Sequence, residues 1–266
     1  MDELRSCARG CLAARAIDDK LACTADTAAA WADGGLRLDS TAGASACVAG
    51  YPRELSLVHP RQLRPRSLKT TDGRAAMIHA IAHIEFSAIN LAWDAICRFA
   101  GLPHAYYDDW VRVAKEEAEH FNLLRARLHS LGADYAEFPA HNGLWDMAQR
   151  TAHDPLARMA LVPRGMEAHG LDVTPGIIER FRTVGDIETV AALQVILHDE
   201  VGHVEIGSRW FGYLCRQRGL DPESTYFALL DEYLVGDIRG PLHVEARRRA
   251  GFSDSELQRL EALCSR

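Results

Sequence analysis

The sequence predicts an all-α protein. Apolar residues recur at helical spacing along most of the 266 residues, whereas the alternation of apolar and polar residues that marks strands is nearly absent. Glycine and proline stand between the periodic stretches, where they would end helices. Two stretches also begin with side chains suited to capping a helix: Asp186, and Ser253 with Glu256 three residues later.

The N-terminal quarter differs from the rest of the chain. Residues 2–32 are rich in alanine and predict one helix, which should end at Gly34 and Gly35. Residues 36–72 combine prolines with arginines, a composition typical of an extended segment that wraps around or links other elements.

Helices are predicted from residue 74 onward. The first two cover 74–100 and 105–131. The next stretch, 144–170, contains Pro163, which should kink or divide it, and a short helix follows at about 175–183. The remaining helices are predicted from the Asp186 cap to about 218, and at about 222–235, 241–250 and 254–264.

Composition places the chain among soluble globular proteins, with 48% hydrophobic and 25% charged residues. No apolar run reaches the roughly 18 residues of a membrane span, and the N-terminus does not resemble a signal peptide. The net charge of −7 argues against nucleic acid as a partner, although arginines between 53 and 74 and at 247–249 could contact phosphates. We therefore expect a cytoplasmic protein without a membrane partner.

The seven cysteines contain no Cys-x-x-Cys pair. Cys7 and Cys11 share a helical face, but no second pair completes a thiolate metal site. Reduced, mostly buried thiols are the expectation for a cytoplasmic protein.

One chemical motif occurs twice. The segment HDEVGH places Glu200 and His203 three residues apart, on nearly the same face of a helix. The segment EEAEH repeats this spacing with Glu117 and His120. Metal ligands on one helix often use the spacing, but surface ion pairs also produce it.

A glutamate precedes each pair on the preceding long predicted helix. Glu85 lies 32 residues before Glu117, and Glu167 lies 33 residues before Glu200. The chain thus contains the same unit twice, a helix with Glu followed by a helix with Glu-x-x-His, without further identity between the halves.

The positions of these six residues favour metal binding over surface ion pairs. All six lie on the apolar faces of their predicted helices, where core residues belong. Buried together without a cation, four carboxylates would repel one another or take up protons. Four glutamates and two histidines suit two iron or manganese ions.

Two further acids stand beside the motifs. Glu116 could pair with His120 one turn later, but the apolar stripe favours Glu117 as the ligand. Asp199 precedes Glu200 as Glu116 precedes Glu117. Either both acids hold the N–H of a metal-bound imidazole, or they face solvent.

His79 and His83, one turn apart on the first core helix, are better suited to packing or to an interface than to ligation.

Six long segments are specific enough to compare with known families: HAIAHIEFSAINLAWDA, YYDDW, EEAEHFNLLRARL, FPAHNGLWDMA, DPLARMALVPRGMEAHGLDVTP and DEVGHVEIGSRWF. Through these segments the chain resembles the bacterial ferritin-like proteins of the DUF455 group, from about Pro52 to Ala250, and more distantly the tRNA hydroxylase branch of the ferritin-like superfamily.

The resemblance and the ligand pattern together predict a ferritin-like four-helix bundle with a di-metal centre over 73–219. An N-terminal helix and wrapping segment would cover 1–72, and additional C-terminal helices over 220–266 would pack on the bundle.

The function expected from this reading is an O₂-dependent oxidoreductase of the hydroxylase type, with two iron ions, or manganese in one or both sites. It would need an external electron donor, because the chain has no flavin or nicotinamide fingerprint. A ferroxidase or iron-handling protein and a metal-stabilised structural or interaction protein are the alternatives. The substrate, the redox partner and the oligomeric state, a homodimer included, are left open.

Overall fold

The computed structural model describes residues 2–38, 48–234 and 240–264, and it confirms the all-α class. Among those residues, the only strands are β1 (Asp2–Glu3) and β2 (Leu36–Arg37), which pair in parallel. The chain forms two compact units, Met1–Trp145 and Asp146–Arg266. The three-part division predicted from the sequence stays a prediction.

The first unit consists mainly of a helical hairpin with two shorter helices beside it. Its long helices α3 and α4 pack against each other, and α1 packs on α3. The bounds are Leu4–Ala13 for α1, Ile17–Ala32 for α2, Thr71–Arg98 for α3 and His104–Ser130 for α4, with a 3₁₀ turn at Pro60–Gln62 and α5 (Gly143–Arg150) at the unit boundary.

The single helix predicted over residues 2–32 is wrong, because the chain breaks between α1 and α2. A distant glycine explains the break. Gly50 donates its N–H to the carbonyl oxygen of Leu12 at 2.8 Å. It approaches so closely that a Cβ on Gly50 would lie 2.3 Å from the carbonyl oxygen of Ala14.

A buried lysine holds the same helix end. The ammonium of Lys20 donates to the carbonyl oxygens of Cys11 and Leu12 at 2.8 and 2.9 Å, and to Oδ1 of Asn90 at 2.6 Å. These bonds satisfy carbonyls that the end of α1 leaves without helical partners. Burial lowers the pKa of Lys20 to about 7.

The expectation that all cysteines are reduced is corrected by a disulfide. Cys11 on α1 and Cys23 on α2 are bonded, with their Cα atoms 5.3 Å apart, an ordinary separation for a disulfide. No spacing motif indicates this pair, because packing of α1 on α2 brings the two residues together. Cys47 lies outside the described residues. The described cysteines outside this disulfide are Cys7, Cys97, Cys215 and Cys264.

The α3 helix is long and apolar enough to cross a membrane by length and composition alone, with a mean hydropathy of 1.3 in its most apolar 18-residue window. However, 72% of that window is buried inside the protein. Core helices of soluble proteins meet the same test, and α3 is the central helix of the first unit.

The second unit is built around α8, on which the preceding helices α6 and α7 pack. A π-helical turn joins α6 to α7 and also contacts α8. The bounds are Pro155–Leu161 for α6, Val162–Glu167 for the π-helix, Ala168–Thr183 for α7, Ile187–Arg218 for α8, Pro222–Tyr233 for α9, Val244–Arg249 for α10 and Asp254–Cys264 for α11.

Both predicted caps are confirmed. Oδ1 of Asp186 accepts the N–H of Thr189 at 3.1 Å at the start of α8. At the start of α11, the N–H of Ser253 donates to Glu256 at 2.8 Å, and the N–H of Glu256 donates to Oγ of Ser253 at 3.2 Å.

The segment predicted as one interrupted helix over 144–170 is divided twice. Asp154 caps a new helix, α6, after a turn that follows α5. At Pro163 the chain does not leave the helix but widens into the π-helical turn, so the predicted interruption is confirmed. The expected break before residue 175 is wrong, because α7 continues through Pro175.

Candidate metal site

Three predicted ligands meet inside the first unit. Glu85 comes from α3, and Glu117 and His120 come from α4; their exposed fractions are 3%, 1% and 1%. Nδ1 of His120 lies 3.3 Å from Oε2 of Glu85 and 3.6 Å from Oε2 of Glu117. The three residues offer ligand atoms that all lie within 4.8 Å of one another. This buried group could hold a metal ion.

Packing of the α3–α4 hairpin sets this geometry. Phe86 and Phe121, the residues next to Glu85 and His120, pack edge to face with ring centroids 5.2 Å apart. Both rings are fully buried. This ring packing fixes α3 and α4 relative to each other beside Glu85 and His120. The ligand group is therefore positioned by rigid elements.

The charges within the group determine how it binds a cation. Burial on its own would lower the pKa of His120, but the carboxylates of Glu117 and Glu85 outweigh it and raise the pKa to about 11. Without a metal, the imidazole therefore carries a proton between two carboxylates. A metal that binds Nδ1 must displace this proton, which couples metal affinity to pH.

The second Glu-x-x-His pair has the same internal geometry. Nδ1 of His203 lies 3.6 Å from Oε1 of Glu200, both on α8. The side chain of His203 is 1% exposed and that of Glu200 14%. The repeat seen in the sequence is thus also a repeat in structure, with equal nitrogen–oxygen distances in the two pairs.

Glu167, the remaining predicted ligand, is the last residue of the π-helix and is half-buried. It is not among the side chains that group as potential ligands within the described part of the chain. Its assignment as a ligand stays a prediction.

The acids beside the motifs are Glu116 and Asp199, and both are half-buried. This intermediate burial does not decide between support of an imidazole and exposure to solvent. Two other acids near the motifs, Glu119 and Glu205, instead form ion pairs with basic residues on their own helices. Glu119 is paired with Lys115 on the exposed face of α4, and Glu205 lies 3.2 Å from Arg209 on α8.

The packing role predicted for His83 is supported by its hydrogen bonds. Nε2 of His83 lies 3.0 Å from the carbonyl oxygen of His141, so this nitrogen carries the proton. Nδ1 then accepts from the hydroxyl of Tyr135 at 2.8 Å. Burial lowers the pKa of His83 to about 4, so the ring is neutral.

His79 packs in the same region. Its Nε2 accepts the N–H of Ala136 at 3.0 Å, where the backbone has a φ of 80°. A positive φ is unusual for alanine, and this hydrogen bond helps to stabilise the backbone conformation of Ala136. Burial lowers the pKa of His79 to about 4 as well.

The donor set indicates the class of metal. Both units supply carboxylate oxygens and an imidazole nitrogen, and no cysteine belongs to the group in the first unit. Carboxylate and imidazole donors suit iron and manganese, and also zinc, whereas copper(I) favours thiolate and thioether sulfur.

Comparison with known proteins gives the family. A family model described as a protein of unknown function, DUF455, matches residues 13–258. The chain belongs to the DUF455 family. One relative, an uncharacterised protein of Haemophilus influenzae, is 46% identical over 217 residues, which cover 79% of this chain and 75% of the relative. No solved structure matches the chain. The description of DUF455 names no activity.

Proposed function

We propose that this DUF455 protein holds two iron ions, in the manner of ferritin-like carboxylate bundles. Manganese in one or both positions is the alternative metal. The ligands in this proposal are Glu85, Glu117, His120, Glu167, Glu200 and His203.

The observation that carries the proposal is the buried group of Glu85, Glu117 and His120. Burying two carboxylates within a few ångströms is costly unless positive charge compensates them. A proton on His120 supplies one positive charge, and a divalent ion would supply two. The matching pair of Glu200 and His203 supports a second metal position of the same kind.

The function that this centre favours is O₂-dependent oxidation of a substrate, as in a hydroxylase. When bound, the iron ions would supply the electrons and the open coordination positions for reaction with O₂. The protein would hold the ions through the glutamates and histidines, and the burial of Glu117 and His120 would exclude bulk water. An external donor would return the electrons.

The π-helical turn that ends at Glu167 supports an enzymatic role over a purely structural one. Such turns occur frequently at functional sites, because the widened backbone costs stability and persists where function requires it. A ligand at the end of this turn would have more freedom to change its coordination than one inside a regular helix.

The experiment that tests the proposed function is anaerobic loading with iron(II), followed by addition of O₂. The visible spectrum, the O₂ consumed and the particle size are recorded. An O₂-dependent oxidoreductase should oxidise about two irons per chain, as the ligand count implies, and then stop. Addition of a chemical reductant should restore the reaction with O₂.

The other outcomes separate the alternatives. Continued oxidation of excess iron with growth of a mineral particle would identify an iron-handling protein. Tight binding of iron without any reaction with O₂ would identify a metal that only stabilises the fold. The Glu119→Ala variant, changed on the exposed face of α4, should behave as the parent and serves as the control.

A further inference from the structure

The π-helix contains a buried arginine that is attached to the C-terminal helices. Arg164 lies three residues before Glu167, and its side chain is 4% exposed. Its Nη2 donates to both carboxylate oxygens of Glu256 on α11, at 2.8 Å each. Glu256 in turn is held by the capping box with Ser253. The ion pair therefore connects the π-helical turn to the start of α11.

Aromatic rings surround the guanidinium of Arg164. The ring centroids of Tyr226 and Phe252 lie 4.3 Å from its central carbon, and that of Phe211 lies at 5.3 Å. Cation–π contacts of this kind are strongest where the cation is removed from water. The rings come from α8, from α9 and from the loop before α11, so the side chain is fixed from several directions.

The backbone of the turn is held as well. The hydroxyl of Tyr226 donates to the carbonyl oxygen of Arg164 at 3.1 Å. Pro163 packs so closely on α8 that a Cβ at Gly207 would lie 2.5 Å from the proline Cβ. The first half of the π-helix is therefore fixed through both its side chains and its backbone, whereas its last residue, Glu167, is half-buried.

From this arrangement we infer that Arg164 is a positioning residue, which with Glu256 holds the π-helical turn so that Glu167 is presented to the metal centre. The inference rests on the proposed function, since it takes Glu167 as a ligand. It assigns the C-terminal helices α9 and α11 a role in the metal site, although none of their residues is a predicted ligand.

The physical reason is the geometry of the turn. A π-helix places one more residue in each turn than an α-helix, so a relaxation of residues 162–167 towards α-helical winding would rotate Glu167 around the axis. The Arg164–Glu256 ion pair opposes this relaxation because the turn cannot rewind without moving a buried, paired charge. For comparison, mutation of outer-shell groups that orient metal ligands by hydrogen bonds typically changes metal affinity by about 10- to 100-fold.

A neighbouring ion pair offers a matched control. Arg247 on α10 donates to Asp172 on α7 at 2.6 and 2.9 Å, and the side chains are 5% and 1% exposed. This pair has the same chemistry and burial, and Arg247 also contacts Phe252. It attaches to α7 beyond the π-helix, however, so it should not determine the winding of the turn.

The test compares Glu256→Gln with Asp172→Asn, two variants that each replace one buried carboxylate by an amide. Cobalt(II) alone is the probe, because its visible absorption reports the coordination geometry. For Glu256→Gln we expect one of the two cobalt ions to bind at least about tenfold more weakly, with a changed visible spectrum. For Asp172→Asn we expect the affinity and the spectrum of the parent.

Hydrogen exchange of residues 162–168 in the metal-free proteins gives a second measurement. Exchange there should be faster in Glu256→Gln than in Asp172→Asn, because only the first variant releases the turn. If Glu256→Gln does not fold, Arg164→Lys takes its place; it keeps the charge but lacks the planar guanidinium.

Each outcome decides the question. Equal cobalt binding by the parent and by Glu256→Gln would overturn the positioning role and leave the proposed function intact. Equal weakening in both variants would also overturn it, because the cause would then be general destabilisation. A parent that binds no cobalt would overturn the proposed function and, with it, this inference.

Discussion

Nδ1 of His203 lies 3.6 Å from a carboxylate oxygen of Glu200, the same distance that separates His120 from Glu117. The two pairs belong to different helices and share no surrounding sequence beyond the motif. Equal geometry in both pairs is what a protein would need to treat two metal ions alike. This relationship supports a second metal position of the same kind as the first.

Removal of metal should destabilise the protein at neutral pH. A metal that binds only the folded chain stabilises it by about 3 to 4 kcal/mol when present at 100 to 1,000 times its dissociation constant. We expect calorimetry at pH 7 to show a lower melting temperature for the protein from which a chelator has removed the metal than for the metal-loaded protein. The difference should shrink at pH 5, because protons compete with the metal for the carboxylates and the imidazole. Equal melting temperatures of the two forms at pH 7 would count against the site.

The buried neutral ring of His79 should make stability depend on pH. Its pKa is about 4 in the folded protein, and the unfolded value is about 6.5. Since the folded state disfavours the proton, this contribution is complete above pH 6.5 and is lost as the pH falls through 4. The total effect is about 3 kcal/mol at most.

Urea unfolding between pH 7 and pH 4 measures this effect. The stability of His79→Gln should fall less steeply with decreasing pH than that of the parent. His153→Gln, a change at an exposed histidine, should follow the parent. A His79→Gln variant with the parent's slope would show that the ring is not the source of the pH dependence.

Gly207→Ala should destabilise the second unit. The new Cβ would lie 2.5 Å from Cβ and 2.6 Å from Cγ of Pro163, and neither ring atom can move away freely. Overpacking of this kind costs about 1 to 3 kcal/mol, which urea unfolding can resolve.

The control is Gly170→Ala on α7, where an added Cβ meets no atom within 4 Å. It should stabilise the protein by up to about 1 kcal/mol through helix propensity. If both alanine variants were equally stable, Pro163 would not pack on α8 as described.

The disulfide can be tested by counting thiols in the unfolded protein. Reduction should add two thiols to the count, because Cys11 and Cys23 are bonded. The reductant should also lower the melting temperature, since a loop of about 15 residues closed by a disulfide contributes roughly 3 kcal/mol. A Cys11→Ser/Cys23→Ser variant should not respond to the reductant. An unchanged thiol count would instead support the expectation drawn from the sequence.

Local signals in the sequence predicted much of the helical framework. The cap at Asp186 and the capping box of Ser253 and Glu256 appear as expected, because these bonds join residues at most three positions apart. Asp154 followed by Pro155 is an equally local signal for the start of α6, although no helix start was predicted there.

Features that depend on distant residues were not predictable. The break between α1 and α2 depends on Gly50 and on the bonds of Lys20, which no local pattern reveals. The disulfide likewise depends on the packing of two helices. Pro163 marked an irregularity, but its form as a π-helix depends on contacts with α8 and with the C-terminal helices.

The candidate site likewise combines features that local sequence signals predicted with features that depend on distant residues. The spacing of Glu117 and His120 and their apolar neighbours placed both side chains correctly in the interior, and Glu85 joins them there. The ion pair of Arg164 and Glu256 spans 92 positions and leaves no periodic pattern, so only the structure reveals it.

The most direct test of the di-metal proposal is elemental analysis of the purified protein after anaerobic loading with iron(II) and removal of excess metal. The ligand set predicts about two ions per chain in the parent. Glu117→Ala and Glu200→Ala should lose most of the metal, whereas Glu119→Ala and Glu205→Ala, changed at acids paired on the helix surface, should keep it. Full occupancy in the Glu200→Ala protein would contradict the proposed centre.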